Sequence, residues 1–439
     1  MLNKFTTILN KYDAWLITIF AFLLRIIGLH WMAYANNREF FRDYFASSII
    51  AHGQRFLLYG PPSIIGVFHF GPIYYYILAI FQFVFRFSPS SLLIASMLIS
   101  SLSVFVLYHL LLLWFKEKSA ARIGAILCAL SMYSIFLGEY VSNPNFVPLF
   151  LLWFFYTFTK ILHGDKSEWT YLWAGLSFAI ASQLHITAMI LLSLMIITGI
   201  IWRKNIIHNI NGILIFIGIT LLVYSTYIYY QFTTHFSEFG QLIFFAAKKF
   251  GPESSSNILL ALSRFVESVF LPIQNTEYAF TNLSPTFLYL IVAAVVFIFI
   301  FIFIKAIIQI TDKDRLFANQ NPLSISKEGK FIITFWTIFS LLILSGYHNF
   351  IRYYYLIILW PLPIIILVCA AYWLKNRYKV FYSFLAMFLV ISVLEIFSFY
   401  YSESKIPWSS FNENYNNALK IKPNILEVGA PDIIIKYVK

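Results

Sequence analysis

The topology of this chain depends on residues 72–87, which read PIYYYILAIFQFVFRF. The stretch is apolar, but it sits at the short end of the roughly 17 to 25 residues that a helix needs to cross the ~30 Å hydrocarbon layer of a membrane. It begins with three tyrosines, whose phenol rings prefer the boundary between lipid and water. Either the stretch crosses the membrane or it lies along the surface, and the two alternatives give opposite orientations to the segments that follow.

The composition of the whole chain is that of a polytopic membrane protein. The 439 residues are 60% hydrophobic and only 11% charged, and the mean hydropathy is +0.76, far above what a soluble protein needs to fill a core. The net charge of +12 could suggest nucleic acid as a partner. The basic residues, however, form short clusters between apolar runs, as the positive-inside rule describes, so we exclude nucleic acid.

Hydropathy predicts an all-α fold with about eleven transmembrane helices. The first run is too long for the apolar part of a signal peptide and carries Arg25, so we interpret it as a retained helix. The predicted spans are 14–34, 91–115, 120–138, 147–162, 169–184, 186–202, 209–230, 285–307, 331–346, 353–374 and 380–400.

Charge decides between the two alternatives for residues 72–87. If they crossed the membrane, the basic cluster KEKSAAR at 116–122 and the later basic loops would lie outside. If they form an interfacial helix, these loops lie in the cytoplasm with the N-terminus, so we predict the interfacial helix. The predicted domains are then a membrane domain at 1–400, with outer loops at 35–90 and 231–284, and a short polar outer tail at 401–439.

Few polar residues are predicted at the outer face, where one cleft could gather them. The two cysteines, Cys128 and Cys369, lie in separate apolar runs and suggest neither a disulfide framework nor a metal site. The outer polar residues include Glu39, Arg42, Asp43 and His69 in the first loop, Asn143 and Asn145 in GEYVSNPNFVPLF, His185 in SQLHITA, and Arg352 in YHNFIRYYY.

The order of these motifs carries a resemblance. An acid in the first outer loop is followed by GPP, HFGPIYYY, NPN, QLH and RYYYLIILWPLP. Over residues 14–375 this order resembles the GT-C membrane glycosyltransferases, in particular the bacterial branch related to protein O-mannosyltransferases and lipid A aminoarabinose transferases. The resemblance implies an inverting transfer of a sugar from a polyprenyl-phosphate donor to an acceptor hydroxyl or amine, at the outer face of the cell membrane.

The resemblance also implies roles for individual residues. Asp43 matches the essential acid of the family's first loop. Family members often have Asp-Glu there, whereas this chain has Arg42-Asp43-Tyr44, which leaves Glu39 as a second catalytic candidate. The aminoarabinose branch has an aspartate before proline in the second outer loop. This chain has Asn143 there, which points to the NPN branch.

The expected chemistry explains these residue types. A carboxylate within hydrogen-bond reach can take the proton of an acceptor hydroxyl, and we assign this role to Asp43. A guanidinium can stabilise the departing lipid phosphate without a metal, and Arg352 fits best. We identify no metal ligand and no certain cofactor besides the donor substrate, and the sequence leaves metal dependence open. Arg42 and His69 are further candidates for the donor phosphate, and Asn143, Asn145, His185 and Tyr74 are candidates for the substrate cleft.

Each assignment has a structural alternative. Asp43 could pair with Arg38 or Arg42 on a solvated helix, and Arg352 could anchor a helix end among the headgroups. Asn143 and Asn145 precede a helical run, where asparagine usually caps the helix, and we expect capping. For His185 we expect a structural hydrogen bond between helices.

Other classes of function remain open. A transporter or flippase of a lipid-linked intermediate would place ionisable residues in mid-membrane, where this chain has only Arg25. A polysaccharide polymerase or ligase would concentrate polar residues in the later outer loop, and a nonenzymatic scaffold needs no site. The sequence does not specify the sugar, the acceptor among glycan, lipid and protein, the polyprenol length, or the oligomeric state.

Overall fold

The computed structural model describes residues 2–30, 38–63, 66, 68–249, 325–345, 357–374 and 378–403. Within these ranges the regular structure is helical, apart from one isolated β-bridge between Pro62 and His69. The predicted all-α class is confirmed for this part of the chain. The predicted span at 285–307, most of the loop 231–284 and nearly all of the tail 401–439 lie outside the described residues.

The helices follow one another closely, with short 3-10 turns at Ile27–His30, Asn143–Phe146 and Ile186–Met189. The α-helices are α1 (Leu2–Ile26), α2 (Arg38–Ala51), α3 (Ile73–Val84), α4 (Ser90–Phe115), α5 (Lys118–Leu130), α6 (Met132–Glu139), α7 (Val147–Leu162), α8 (Glu168–Leu184), α9 (Ile190–Ile201), α10 (Arg203–Ile207), α11 (Ile210–Thr233), α12 (Ser237–Lys249), α13 (Lys327–Ser345), α14 (Leu362–Leu374) and α15 (Tyr378–Glu403).

Among the described residues, four helices are long and apolar enough to span a membrane. They are Tyr12–Leu29, Ser90–Phe115, Asn143–Leu162 and Ile210–Thr233. The predicted spans near 169–184 and 186–202 are also helical but shorter, as α8 and α9. A multi-pass membrane fold is therefore supported, while the predicted number of about eleven spans is not confirmed.

The predicted span at 120–138 is two helices rather than one. Helices α5 and α6 meet at Ser131, whose backbone is extended (φ −64°, ψ 125°), and their axes differ by 57°. If the pair forms one span, up to five spans are present in the described part of the chain. Because of the bend, Ser134 and Glu139 of α6 lie near Arg25 of α1. Average hydropathy does not detect such a bend.

Helix α4 lies at the centre of the bundle and packs against α1, α5, α6 and α7. Its buried serines, among them Ser96, Ser100 and Ser103, are small enough to let neighbouring helices approach closely. Across the α4–α7 contact, the Trp114 indole donates to the Thr159 hydroxyl at 3.1 Å. Helix α8 packs between α7 and α11 and forms a second layer of the bundle.

Helices α2 and α3 form a pair within the loop predicted at 35–90. The side chain of Gln82 joins them by donating to the Tyr44 carbonyl at 2.7 Å and to the Ser47 hydroxyl at 2.6 Å. The 12 residues of α3 extend about 18 Å, well short of the ~30 Å apolar layer. This length agrees with the prediction that residues 72–87 do not cross the membrane.

Two of the three tyrosines at the start of α3 are buried and do not lie at the lipid surface, where we expected them. Tyr74 is 0% exposed and Tyr75 is 4% exposed, whereas Tyr76 is partly exposed and Ile80, Phe83 and Val84 are exposed. The expectation was wrong for Tyr74 and Tyr75 because a phenol also serves as a buried hydrogen-bond donor. Tyr74 has such a partner in α2, described below.

Arg25 is fully buried in α1, as its charge within an apolar helix requires. Its Nε donates to the Ser100 hydroxyl at 3.0 Å, and its two terminal nitrogens donate to the Ala21 carbonyl and to the Ser134 hydroxyl, both at 2.7 Å. The guanidinium therefore joins α1 to α4 and α6. The same region buries Glu139, which accepts from the Tyr400 hydroxyl of α15 at 2.6 Å.

We expect Arg25→Ala to destabilise the protein by about 3 kcal/mol, because it removes the buried guanidinium that donates to Ser100, Ser134 and the Ala21 carbonyl. Thermal unfolding of the protein in lipid nanodiscs measures the loss. Arg55→Ala, at an exposed arginine, is the matched control and should leave the melting temperature unchanged. Equal melting temperatures for the two variants would contradict the structural role of Arg25.

Candidate active site

Asp43 lies on the buried face of α2 with 0% of its surface exposed. Its neighbours in sequence, among them Phe40, Phe41, Tyr44 and Phe45, are also buried. Because these apolar residues of REFFRDYFASSIIA pack inside the protein, Asp43 on the same helix is buried with them. A carboxylate in such surroundings is unfavourable unless hydrogen-bond donors surround it. The surroundings of Asp43 are therefore not those of a solvated loop helix, although the pairing with Arg42 named in the structural alternative is present.

Two side chains supply those donors. Arg42 places Nε 2.8 Å and a terminal nitrogen 2.7 Å from Oδ1 of Asp43, and the Tyr74 hydroxyl donates to Oδ2 at 3.0 Å. Burial raises the pKa of Asp43 to about 6, although Arg42 and Tyr74 favour the carboxylate; the nearby Glu39 acts in the same direction as burial. The side chain is thus poised to exchange a proton near neutral pH.

The loop that precedes α3 folds the GPP and HFGP motifs against each other. The Gly60 amide donates to the Phe70 carbonyl at 2.8 Å, and the Phe70 amide donates to the Pro61 carbonyl at 2.9 Å. A Cβ on Gly60 would collide with the Gly71 carbonyl, and one on Gly71 would collide with the Gln183 side chain. Only glycine fits at both positions, and this close contact sets the start of α3 and hence the position of Tyr74.

The NPN motif borders the same region. The Tyr74 ring packs edge-on against Phe146, with centroids 5.3 Å apart. Asn145 donates to the Tyr140 carbonyl at 2.6 Å, and the Tyr140 hydroxyl donates to Glu39 at 3.3 Å. Oδ1 of Asn145 is buried and has no hydrogen-bond partner, which is unusual for a buried amide oxygen.

The expectation that the two asparagines cap a helix is wrong. Ser142 precedes the Asn143–Phe146 turn and Phe146 precedes α7, and neither helix start has a side-chain cap. Asn143 instead donates to the Leu184 carbonyl at 2.6 Å, at the end of α8. Because that carbonyl is left free where α8 ends, the Asn143 amide satisfies it and ties the NPN turn to the QLH motif.

His185 occupies that junction as a buried, neutral residue. Burial lowers the pKa of His185 to about 4. Its Nδ1 lies 2.8 Å from the Thr187 hydroxyl, and its ring stacks on Phe70 with centroids 5.5 Å apart. These contacts agree with the structural role expected for His185, although the hydrogen bond to Thr187 is local and does not join two helices.

His69 has a partner that the sequence analysis did not identify. Its Nδ1 lies 2.5 Å from Oε1 of Glu238, and its backbone amide donates to Oε2 at 3.0 Å. Burial by itself would raise the pKa of Glu238. The bonds to His69 and one from the Tyr230 hydroxyl outweigh burial and lower this pKa. Glu238 opens α12, in the loop 231–284, and no local motif marks it.

The structure therefore joins the predicted residues into two neighbouring groups. Asp43, Arg42, Glu39, Tyr74 and Asn145 form the first; Asn143, His185 and His69 form the second, and residues 70–74 connect them. Arg352, the predicted phosphate ligand, lies outside the described residues. Within the described ranges, no three His, Cys, Asp or Glu side chains lie together as a metal would require.

Comparison with known proteins supports the predicted superfamily. A family model described as dolichyl-phosphate-mannose-protein mannosyltransferase matches residues 69–230, which is less than half of the chain. No curated protein matches. The oligosaccharyltransferase of Archaeoglobus fulgidus, solved in complex with Zn and sulfate, is 13% identical and has a TM-score of 0.50 over 85% of this chain and 52% of its own length. The resemblance to the GT-C superfamily is confirmed.

A second structure of the A. fulgidus enzyme, AglB in complex with an inhibitory peptide and a dolichol-phosphate, is also 13% identical, with a TM-score of 0.48 over 90% of this chain. The chain spans 52% and 56% of the lengths of these two structures. At 13% identity, the likeness to the first of them concerns the fold alone. The match to residues 69–230 includes His69, Tyr74, Asn143 and His185, but not Asp43.

We expect Tyr74→Phe to raise the pKa of Asp43 above about 6, because the variant removes a hydrogen bond that favours the carboxylate. Infrared spectroscopy of the protonated carboxyl C=O stretch during a pH titration measures the shift, with Asp43→Asn to assign the band. Tyr76→Phe is the matched control, since the Tyr76 hydroxyl donates to the Leu57 carbonyl. An unchanged titration in Tyr74→Phe would contradict the assigned contact.

Proposed function

We propose that this chain is an inverting glycosyltransferase that moves a sugar from a polyprenyl-phosphate donor to an acceptor at the outer face of the cell membrane. One observation carries the proposal: the acid that the family resemblance selects, Asp43, is fully buried, held by Arg42 and Tyr74, and has a pKa raised to about 6. The family match and the GT-C fold support this class of reaction.

The reaction follows from the roles of these groups. The Asp43 carboxylate takes the proton of an acceptor hydroxyl as its oxygen attacks the anomeric carbon. The new C–O bond forms while the bond from the anomeric carbon to the phosphate oxygen breaks, and the electron pair leaves with the polyprenyl phosphate. A single displacement inverts the anomeric configuration.

The negative charge that develops on the leaving phosphate requires a fixed cation. Arg352 fills this role in the proposal, on the strength of its motif. Arg42 contributes less directly, because its guanidinium already holds Asp43 and bonds Tyr75. Glu39 lies close enough to influence Asp43 and is the reserve candidate for the base.

We expect Asp43→Asn to lower the rate of transfer by roughly 10²–10⁴-fold, the contribution typical of a general base. The assay uses protein in lipid nanodiscs, a panel of radiolabelled polyprenyl-phosphate sugars and a cell-envelope acceptor fraction. The control is Asp165→Asn, at a partly exposed acid that pairs with Lys160 in the turn between α7 and α8.

The outcomes of this assay separate the alternatives. Transfer lost in Asp43→Asn but kept in Asp165→Asn supports the proposal. Equal transfer in both variants would reassign the base to Glu39 or overturn the mechanism. Donor binding without turnover in the unmodified protein would instead favour the transporter or flippase.

We further expect the rate to rise with pH through a midpoint near 6, because only the deprotonated form of Asp43 accepts a proton. The donor phosphodiester stays ionised across this range and adds no transition of its own. A pH profile of kcat/KM measures the midpoint, and Tyr74→Phe should move it upward. A rate that falls as pH rises through 6 would contradict the role of Asp43.

A further inference from the structure

A cavity of about 310 Å³ lies beside the candidate site. It is enclosed by residues 68–71, the end of α8, the Ile186–Met189 turn, α11 and the start of α12. Its volume falls at the lower end of the roughly 300–1,000 Å³ typical of small-molecule sites. The aromatic part of its lining is Phe68, Phe70, Tyr224, Tyr227, Phe236 and Phe239.

Two residues of the cavity lining carry buried polar atoms that have no hydrogen-bond partner. They are Nε2 of His69 and Oε1 of Gln231, whose residue is 8% exposed. Buried polar atoms are nearly always paired in folded proteins, since an unpaired one loses its bonds to water without replacement. Two such atoms on the wall of one cavity indicate that a ligand supplies the missing partners.

The two atoms differ in what they ask of a ligand. The Glu238 carboxylate lies 2.5 Å from Nδ1 of His69, so Nδ1 carries a proton; Nε2 accepts a hydrogen bond when the ring is neutral and donates one when the ring is charged. The Gln231 oxygen is an acceptor by its chemistry. A hydroxyl group both donates and accepts, so hydroxyl groups on adjacent carbons would meet both requirements.

The charge of the cavity argues against a phosphate group. Among the described residues that line it, Glu238 carries a carboxylate, and none is a lysine or an arginine. An anionic donor headgroup would meet repulsion there without a compensating cation. Aromatic rings around hydrogen-bond acceptors instead suit a neutral sugar, which offers apolar ring faces and hydroxyl donors at its edge.

We propose that this cavity binds one neutral sugar ring, and that this ring is the acceptor of the transfer. The identification of this sugar as the acceptor rests on the proposed function. Binding of the sugar to the cavity can be measured without turnover. Residues 69–74 run from the cavity wall at His69 to Tyr74 beside Asp43, so a sugar held by His69 lies next to the segment that positions the base. In this proposal His69 binds an acceptor hydroxyl and not the donor phosphate predicted for it.

The test measures binding of neutral methyl glycosides to the full-length protein in lipid nanodiscs prepared without glycoside detergents. Saturation-transfer NMR with methyl mannoside, glucoside and galactoside reports contact and affinity. We expect at least one to bind and Gln231→Met to weaken its binding about tenfold, because the variant keeps the side-chain volume but loses the acceptor. Gln241→Leu, on an exposed glutamine of α12 outside the cavity, is the matched control.

A second variant keeps the test decisive if Gln231→Met fails to fold. Ile186→Trp fills the cavity from its partly exposed rim and should abolish glycoside binding. Failure of all three glycosides to bind, or binding that neither variant weakens, would overturn the proposal. So would binding of farnesyl phosphate that both variants abolish, which would assign the cavity to the donor.

The failure of this proposal is distinguishable from failure of the proposed function. Glycoside binding lost in Ile186→Trp, together with transfer that Asp43→Asn leaves unchanged, would keep the sugar site and overturn the mechanism. Transfer that requires Asp43 but is insensitive to Ile186→Trp would keep the mechanism and remove the acceptor from this cavity.

Discussion

The first long loop, residues 35–90, is organised around the carboxylate of Asp43, which is fully buried. A buried charge costs several kcal/mol unless nearby donors replace its hydration. Arg42 comes from the same helix, but the Tyr74 hydroxyl comes from α3, so α2 and α3 must pack in one relative position. That position in turn fixes Gly71 against Gln183 and ties the loop to α8. The acid and its support therefore form one unit.

Hydropathy predicts the helical class and the short α3, because these depend on local composition, whereas the choice of Asp43 as the base comes from the family resemblance and stays a prediction. The rest depends on partners distant in sequence. An average of hydropathy over a window of residues predicts one span for α5 and α6, because the extended backbone at Ser131 does not change the hydropathy of the sequence. Tyr74 can face lipid or donate to a buried acid, and only the tertiary partner decides. Glu238 lies 169 residues from His69, with no motif to connect them.

The buried polar groups described here are of two kinds, those with hydrogen-bond partners and those without. Arg25 is buried in α1 but directs its donors to Ser100, Ser134 and the Ala21 carbonyl, which makes it a structural tie between helices. Oδ1 of Asn145, beside the Tyr74–Phe146 contact, and Nε2 of His69, on the cavity wall, have no such partner. A satisfied buried group stabilises the fold, whereas an unsatisfied one lowers its stability and needs another reason to persist.

The proposed arrangement would also separate two substrates that need opposite surroundings. A lipid-phosphate donor is anionic and requires guanidinium groups, as the motif around Arg352 would supply. A neutral hydroxyl acceptor requires acceptor atoms and a nearby base, and a cation at its site would lower the basicity of that base. The cavity beside His69 holds a carboxylate and no lysine or arginine among its described lining, while Asp43 lies at the other end of residues 69–74. An acceptor in that cavity would approach Asp43 from the side of His69, where the surroundings do not favour a phosphate. The donor phosphate and the acceptor would then reach Asp43 from different sides.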